Sequence, residues 1–106
     1  MPARTIFIVD DYPDSVCLFT IILTTRGRND IVRAASSGQE GLALAGQERP
    51  DAVLVRLMLP ELDGYEICRR SKAAPALEHI PILLFAAKPP RDVYPEARRC
   101  GAAGYL

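Results

Sequence analysis

The sequence predicts an α/β fold, an open parallel sheet in three layers with helices on both faces. Three observations carry that reading. Short, mostly apolar runs recur at Thr5 to Val9, which is β-branched and aromatic, at Val53 to Leu57 and at Ile82 to Ala86. Capped helical patterns separate them, and the alternation repeats at roughly 20 to 30 residues per unit, as strand and crossover helix require.

The elements follow in order. TIFIV is stopped by Asp10 and Asp11, as a strand buried on both faces should be. Asp14 can cap a helix through SVCLFTIILTTR, with Val16, Phe19 and Leu23 on one face and Gly27 just past its end. The β-branched TIILTT stretch favours a strand by propensity, but cap, face and terminal glycine agree on helix. Asp30 to Ala35 reads as a short, half-exposed strand. Ser37 and Glu40 have capping-box spacing for a helix to about Glu48, where Pro50 blocks continuation. Its face of Leu42 and Ala45 is narrow, so it should pack closely and bury little. Val53 to Leu57 is the third strand, and the loop MLPELDG leads to a second capping box at Asp63 and Glu66. That opens the helix YEICRRSKA, which ends before Pro75. After the fourth strand, AKPPRDVYPEARRCG predicts a proline-disturbed loop and a short helix, with Pro95 in its first turn or ahead of it. Gly101 to Leu106 begins a fifth strand.

At 106 residues the chain accommodates one domain and one core. Thirteen basic residues balance 13 acidic ones, which gives no bulk-charge case for binding nucleic acid or a membrane. Cys17, Cys68 and Cys100 are odd in number and lack ligand spacing, so reduced thiols and a cytoplasmic setting are expected. No apolar run reaches the roughly 18 to 20 residues that span a bilayer, and the start MPARTIFIVDD is not read as a signal peptide.

In open parallel sheets, ligand chemistry gathers beyond the carboxyl ends of the strands, at the switch point between the first and third. Counting places Asp10, Asp11, Arg56, Ala86 and Ala87 there. Arg56 is the informative one. A guanidinium cannot deprotonate, and its desolvation is costly unless it is paired, so it cannot lie inside a strand buried on both faces. It belongs at the strand's end, either bridging Asp10 or Asp11 or pointing into solvent. Other polar residues have plainer readings: Asp63 caps a helix, Ser36 and Ser37 belong to capping, and His79 lies on the surface. Arg69, Arg70 and Lys72 form a basic helix end that suits the macrodipole. No nucleophile with a positioned base is visible, so no independent enzymatic activity is expected.

Taken together, IFIVDDYPD, SSGQEGLALA, PDAVLVRLMLPELDGYEICRRSK, HIPILLFAAK and CGAAGYL resemble the receiver domain of two-component response regulators, in order and spacing over nearly the whole chain. The block through DGYEICRR is the most specific. The resemblance implies a flavodoxin-like topology with strand order 2-1-3-4-5. It implies a single domain over residues 1–106, read as C-terminally truncated, because the family's lysine and last helix fall beyond Leu106.

The resemblance also assigns roles, with departures. Asp10 and Asp11 match the acidic pair that helps bind magnesium. Arg56 stands where the family has its phosphoaccepting aspartate, and Ala86 where it has a hydroxyl that contacts the phosphoryl group. Tyr105 matches the aromatic that reports the phosphorylated state. Acyl-phosphate formation needs a carboxylate nucleophile and a cation to offset the phosphoryl charge. Arg56 supplies neither, and its fixed positive charge weakens the attraction for Mg2+, so no cofactor is expected. The implied function is a phosphorylation-incompetent signalling domain that works by protein interaction, with a histidine kinase or an output domain as partner; a homodimer is compatible. An alternative keeps phosphotransfer at Asp10 or Asp11. A flavodoxin-like cofactor binder is a remote third, because the carboxylates of DDYPD repel phosphate.

Overall fold

The computed structural model describes residues 4–24, 31–59, 61–86 and 90–105. Five parallel strands form one sheet in the order β2-β1-β3-β4-β5: β1 Thr5–Val9, β2 Ile31–Ala35, β3 Ala52–Arg56, β4 Ile82–Phe85 and β5 Gly104–Tyr105. The helices are α1 Pro13–Thr24, α2 Gly38–Glu48, α3 Gly64–Ala73 and α4 Pro90–Cys100. The order 2-1-3-4-5 agrees with the expected topology and puts the switch point between β1 and β3. Gly27, Asp30, Ala87 and Leu106 fall outside the described residues, as do the side chains of Val16 and Leu23.

Alternation along the buried strands divides the core between the two faces of the sheet. Phe7, Val9, Val53, Val55, Ile82 and Leu84 pack with Ala45, Ile67, Cys68, Val93 and Ala97 from α2, α3 and α4. Ile8, Leu54 and Phe85 face the other way, where Phe19 of α1 meets Phe85 with ring centroids 4.8 Å apart. Each fully buried side chain of this size contributes roughly 1.5–3 kcal/mol relative to exposure. β2 is an edge strand and largely exposed, as its mixed composition predicts.

Of each expected capping box only the forward half, the bond from the third helical amide to the capping side chain, forms. Ser37 Oγ accepts the Glu40 amide at 3.2 Å, and Asp63 Oδ1 accepts the Glu66 amide at 2.9 Å. The reciprocal arms go elsewhere. Glu40 reaches back to the amide and hydroxyl of Ser36, and Glu66 pairs with Arg69 and Arg70. The close packing of α2 comes from its glycines as well as Ala45: a Cβ on Gly41 would lie 2.7 Å from Val9 Cγ2.

Two helix boundaries differ from expectation. α1 starts at Pro13, so Asp14 lies in its first turn instead of capping it; proline's fixed φ and missing N–H suit that opening position. α4 is 11 residues long with Pro95 inside it, not a short helix with Pro95 at its start. Pro90 opens α4, and Pro95 forfeits only the bond to the carbonyl four residues back. Val93, Ala97 and Cys100 lie on one buried stripe while Pro95 is exposed, so tertiary burial outweighs the lost bond.

Candidate functional site

The carboxyl ends of β1 and β3 hold the charged residues Asp10, Asp11 and Arg56, and Ala86 follows β4. Asp10 continues β1, where its amide donates to the Ala35 carbonyl at 3.0 Å and pins it beside the end of β2. Its side chain is completely buried. Oδ1 accepts the Tyr12 amide at 3.0 Å, folding the chain back over the strand end before Pro13 opens α1. Oδ2 has no hydrogen-bond partner among the described residues.

Arg56 is the last residue of β3, in register with Phe85 of β4. The chain beyond it is held tightly: the Leu57 amide donates to Phe85 O at 2.9 Å, and the Gly64 amide returns to Leu57 O at 2.9 Å. A Cβ on Gly64 would sit 2.9 Å from Leu57 Cα, so only glycine lets α3 begin this close to the strand end. From that anchored backbone, Arg56 Nη1 lies 3.7 Å from Asp10 Oδ1, with the arginine side chain 36% exposed. Its guanidinium carbon stands 5.9 Å from the centroid of the Tyr12 ring.

Of the sequence-predicted residues, the structure therefore brings Arg56 and Asp10 together. Asp11 is exposed and forms no ion pair with Arg56 among the described residues. With Asp10 it lines a shallow cavity of about 390 Å³ together with Cys17, Ala34, Ala35, Ser36 and Glu40. Ala86 follows β4 and is half-buried against the core. Tyr105 Oη donates to the Ala86 backbone carbonyl at 2.8 Å, a contact that residue 86 makes without needing a side-chain hydroxyl. Tyr94 of α4 meets the Tyr105 ring edge-on with centroids 6.0 Å apart. Among the described residues, no three His, Cys, Asp or Glu side chains are grouped to hold a metal ion.

Tyr12 is the residue that sequence reasoning missed. Its only signal was an aromatic placed two residues after a buried aspartate in a tight loop. Cys68 and Cys100 lie at the α3–α4 contact, where burial, followed by the hydrogen bond to Cys100, pushes the Cys68 thiol up to about 12. No helix among the described residues is long and apolar enough to cross a membrane.

The chain is similar to known proteins over its whole length. The family model described as "Response regulator receiver domain" matches residues 6–106. Response regulator PleD of Caulobacter vibrioides is 35% identical over 106 residues, which is 100% of this chain and 23% of PleD. Protein PilH of Pseudomonas aeruginosa is 34% identical over 101 residues, covering 95% of this chain and 82% of PilH. The crystal structure of the N-terminal domain of a response regulator receiver protein from Methanoculleus marisnigri superposes with a TM-score of 0.84 at 34% identity, covering 99% of this chain and 84% of that one. The chain thus spans about a quarter of PleD and most of PilH. The strand order, the charged residues at the ends of β1 and β3, and these likenesses agree: the chain belongs to the response regulator receiver domain family of two-component systems.

Proposed function

We propose that this receiver domain signals without being phosphorylated at the end of β3, and that it acts by protein–protein interaction. The observation that carries this reading is the Arg56–Asp10 pair, 3.7 Å apart at the switch point of the sheet. On our reading of the resemblance, this strand end is the position of the family's phosphoaccepting aspartate. A guanidinium there is no nucleophile toward phosphorus, and Ala86 offers no hydroxyl to a phosphoryl group. The partner is a signalling protein, a histidine kinase or an output domain, in the cytoplasm.

The residues present do not fit a magnesium ion. Mg2+ requires near-octahedral oxygen coordination, normally anchored by carboxylates. Asp10 Oδ1 already accepts the Tyr12 amide and has the Arg56 guanidinium 3.7 Å away, and Asp11 is exposed. A fixed cation next to the one buried carboxylate further opposes a second cation. Among the described residues, Asp10 Oδ2 is the one buried side-chain oxygen without a hydrogen-bond partner. A single oxygen does not make a site.

A second reading keeps phosphotransfer on an aspartate of the β1–α1 loop. The exposure of Asp11 on an open cavity favours it over the buried Asp10 as that acceptor. One experiment separates the readings: incubation with Mg2+ and acetyl phosphate, followed by intact mass. Our reading expects no phosphoryl adduct. A stoichiometric adduct lost in Asp11→Asn would overturn it in favour of the second.

A further inference from the structure

The Arg56–Asp10 contact is too long to account for its own geometry. At 3.7 Å it lies outside the roughly 2.7–3.2 Å of an N–H···O hydrogen bond. Arginine opposite a carboxylate normally closes into a two-bond fork, in which both oxygens accept. Here Oδ1 accepts the Tyr12 amide and Oδ2 accepts nothing among the described residues, so no such fork forms. Something other than the carboxylate sets the position of the guanidinium.

The Tyr12 ring is placed to do so. Its centroid is 5.9 Å from the guanidinium carbon, within the roughly 6 Å over which a cation is drawn to an aromatic face. The same residue holds Asp10 through its backbone amide. We propose that Tyr12 is the positioning residue of the site: backbone on Asp10, ring on Arg56, it closes a latch between the β1–α1 loop and the end of β3. This rests on the reading of Arg56 as the pocket's resident cation and adds what holds it there.

The latch has a consequence for regulation. Pro13 opens α1 immediately after Tyr12, so the loop conformation that closes the latch also sets where α1 begins. A receiver built this way keeps its β1–α1 loop closed with its own side chains, and needs neither a bound cation nor a phosphoryl group to do so. Tyr12 is 53% exposed, so the latch closes at the surface of the domain.

NMR of the uniformly labelled chain tests this. In the wild type the Arg56 δ and ε protons should be shifted upfield by the ring. Tyr12→Leu should abolish the shift, and Tyr12→Phe should restore it, since the ring and not the hydroxyl acts. Arg56→Ala should speed hydrogen exchange of the Tyr12 amide by about two- to five-fold, as loss of an exposed cation–π contact loosens the loop. Normal Arg56 shifts in the folded wild type, or an upfield shift that survives Tyr12→Leu, would overturn the latch. Neither result bears on the phosphoryl adduct, so the latch and the functional reading fail separately.

Discussion

Arg56 of β3 and Asp10 of β1 meet across the two central strands, the carboxylate completely buried and the guanidinium 36% exposed, with 3.7 Å between Nη1 and Oδ1. The asymmetry decides what the pair is worth. Stripping water from Asp10 is costly, and a single longer contact to a half-hydrated cation offsets only part of it. The pair fixes a charge arrangement more than it stabilises the fold.

Removing one partner should still be felt. Arg56→Ala leaves a buried carboxylate without its cation and should lower stability by about 1–2 kcal/mol. That is less than the roughly 3–5 kcal/mol of a fully buried pair, because solvent screens the exposed guanidinium. Urea denaturation measures it. An unchanged midpoint would mean that Arg56 does not compensate Asp10.

Glycines in the helices should separate by what surrounds them. Gly41→Ala presses a methyl 2.7 Å from a Val9 side-chain carbon and should cost about 1–3 kcal/mol. Gly64→Ala should be worse, because its Cβ meets backbone at Leu57, which cannot rotate away. Gly46 lies in α2 with nothing within 4 Å of a built Cβ. Gly46→Ala should stabilise by about 0.5–1 kcal/mol, read from the shift in thermal midpoint.

The fold was readable because each local signal agreed with its neighbours. Apolar runs, two cap spacings and the prolines at 50 and 75 all marked the same alternation. The site was half readable. A charge that cannot sit inside a doubly buried strand located the end of β3, and the two aspartates located the end of β1. Which aspartate turns inward could not be read, because both stand at the same break in the pattern and contacts formed only on folding, Asp10 N to Ala35 O and Tyr12 N to Asp10 Oδ1, separate them. Tyr12 escaped because a lone loop aromatic has no periodicity. Pro95 misled because local propensity treats proline as a helix breaker, whereas burial of Val93, Ala97 and Cys100 is a tertiary effect.

Acid should weaken the α3 surface in a defined direction. Hydrogen bonds from Arg69 and Arg70 hold the Glu66 carboxyl below its ordinary value of 4.5. A lowered folded-state value means that its contribution is present above about pH 4.5 and is lost as pH falls through the folded value. Stability measured from pH 6 down to about pH 3 should therefore fall less steeply in Glu66→Gln than in the wild type. Equal slopes would exclude the contribution.

Thiol reactivity should divide along burial. Cys17 is exposed, whereas Cys68 and Cys100 are buried, with Cys68 pushed up to about 12 by desolvation and its hydrogen bond to Cys100. Ellman's reagent should titrate one thiol in the native chain and three in denaturant. Rapid reaction of all three in the folded protein would contradict the α3–α4 packing.

The most direct measurement of whether Arg56 has taken the cation's place is a calorimetric titration with Mg2+ of the wild type and Arg56→Asp, repeated with Ala86→Thr added. The wild type should show no saturable binding, Arg56→Asp should gain it, and the double variant should be the better acceptor of phosphate from acetyl phosphate. Equal Mg2+ affinity in the wild type and Arg56→Asp would contradict the claim that the guanidinium excludes the metal.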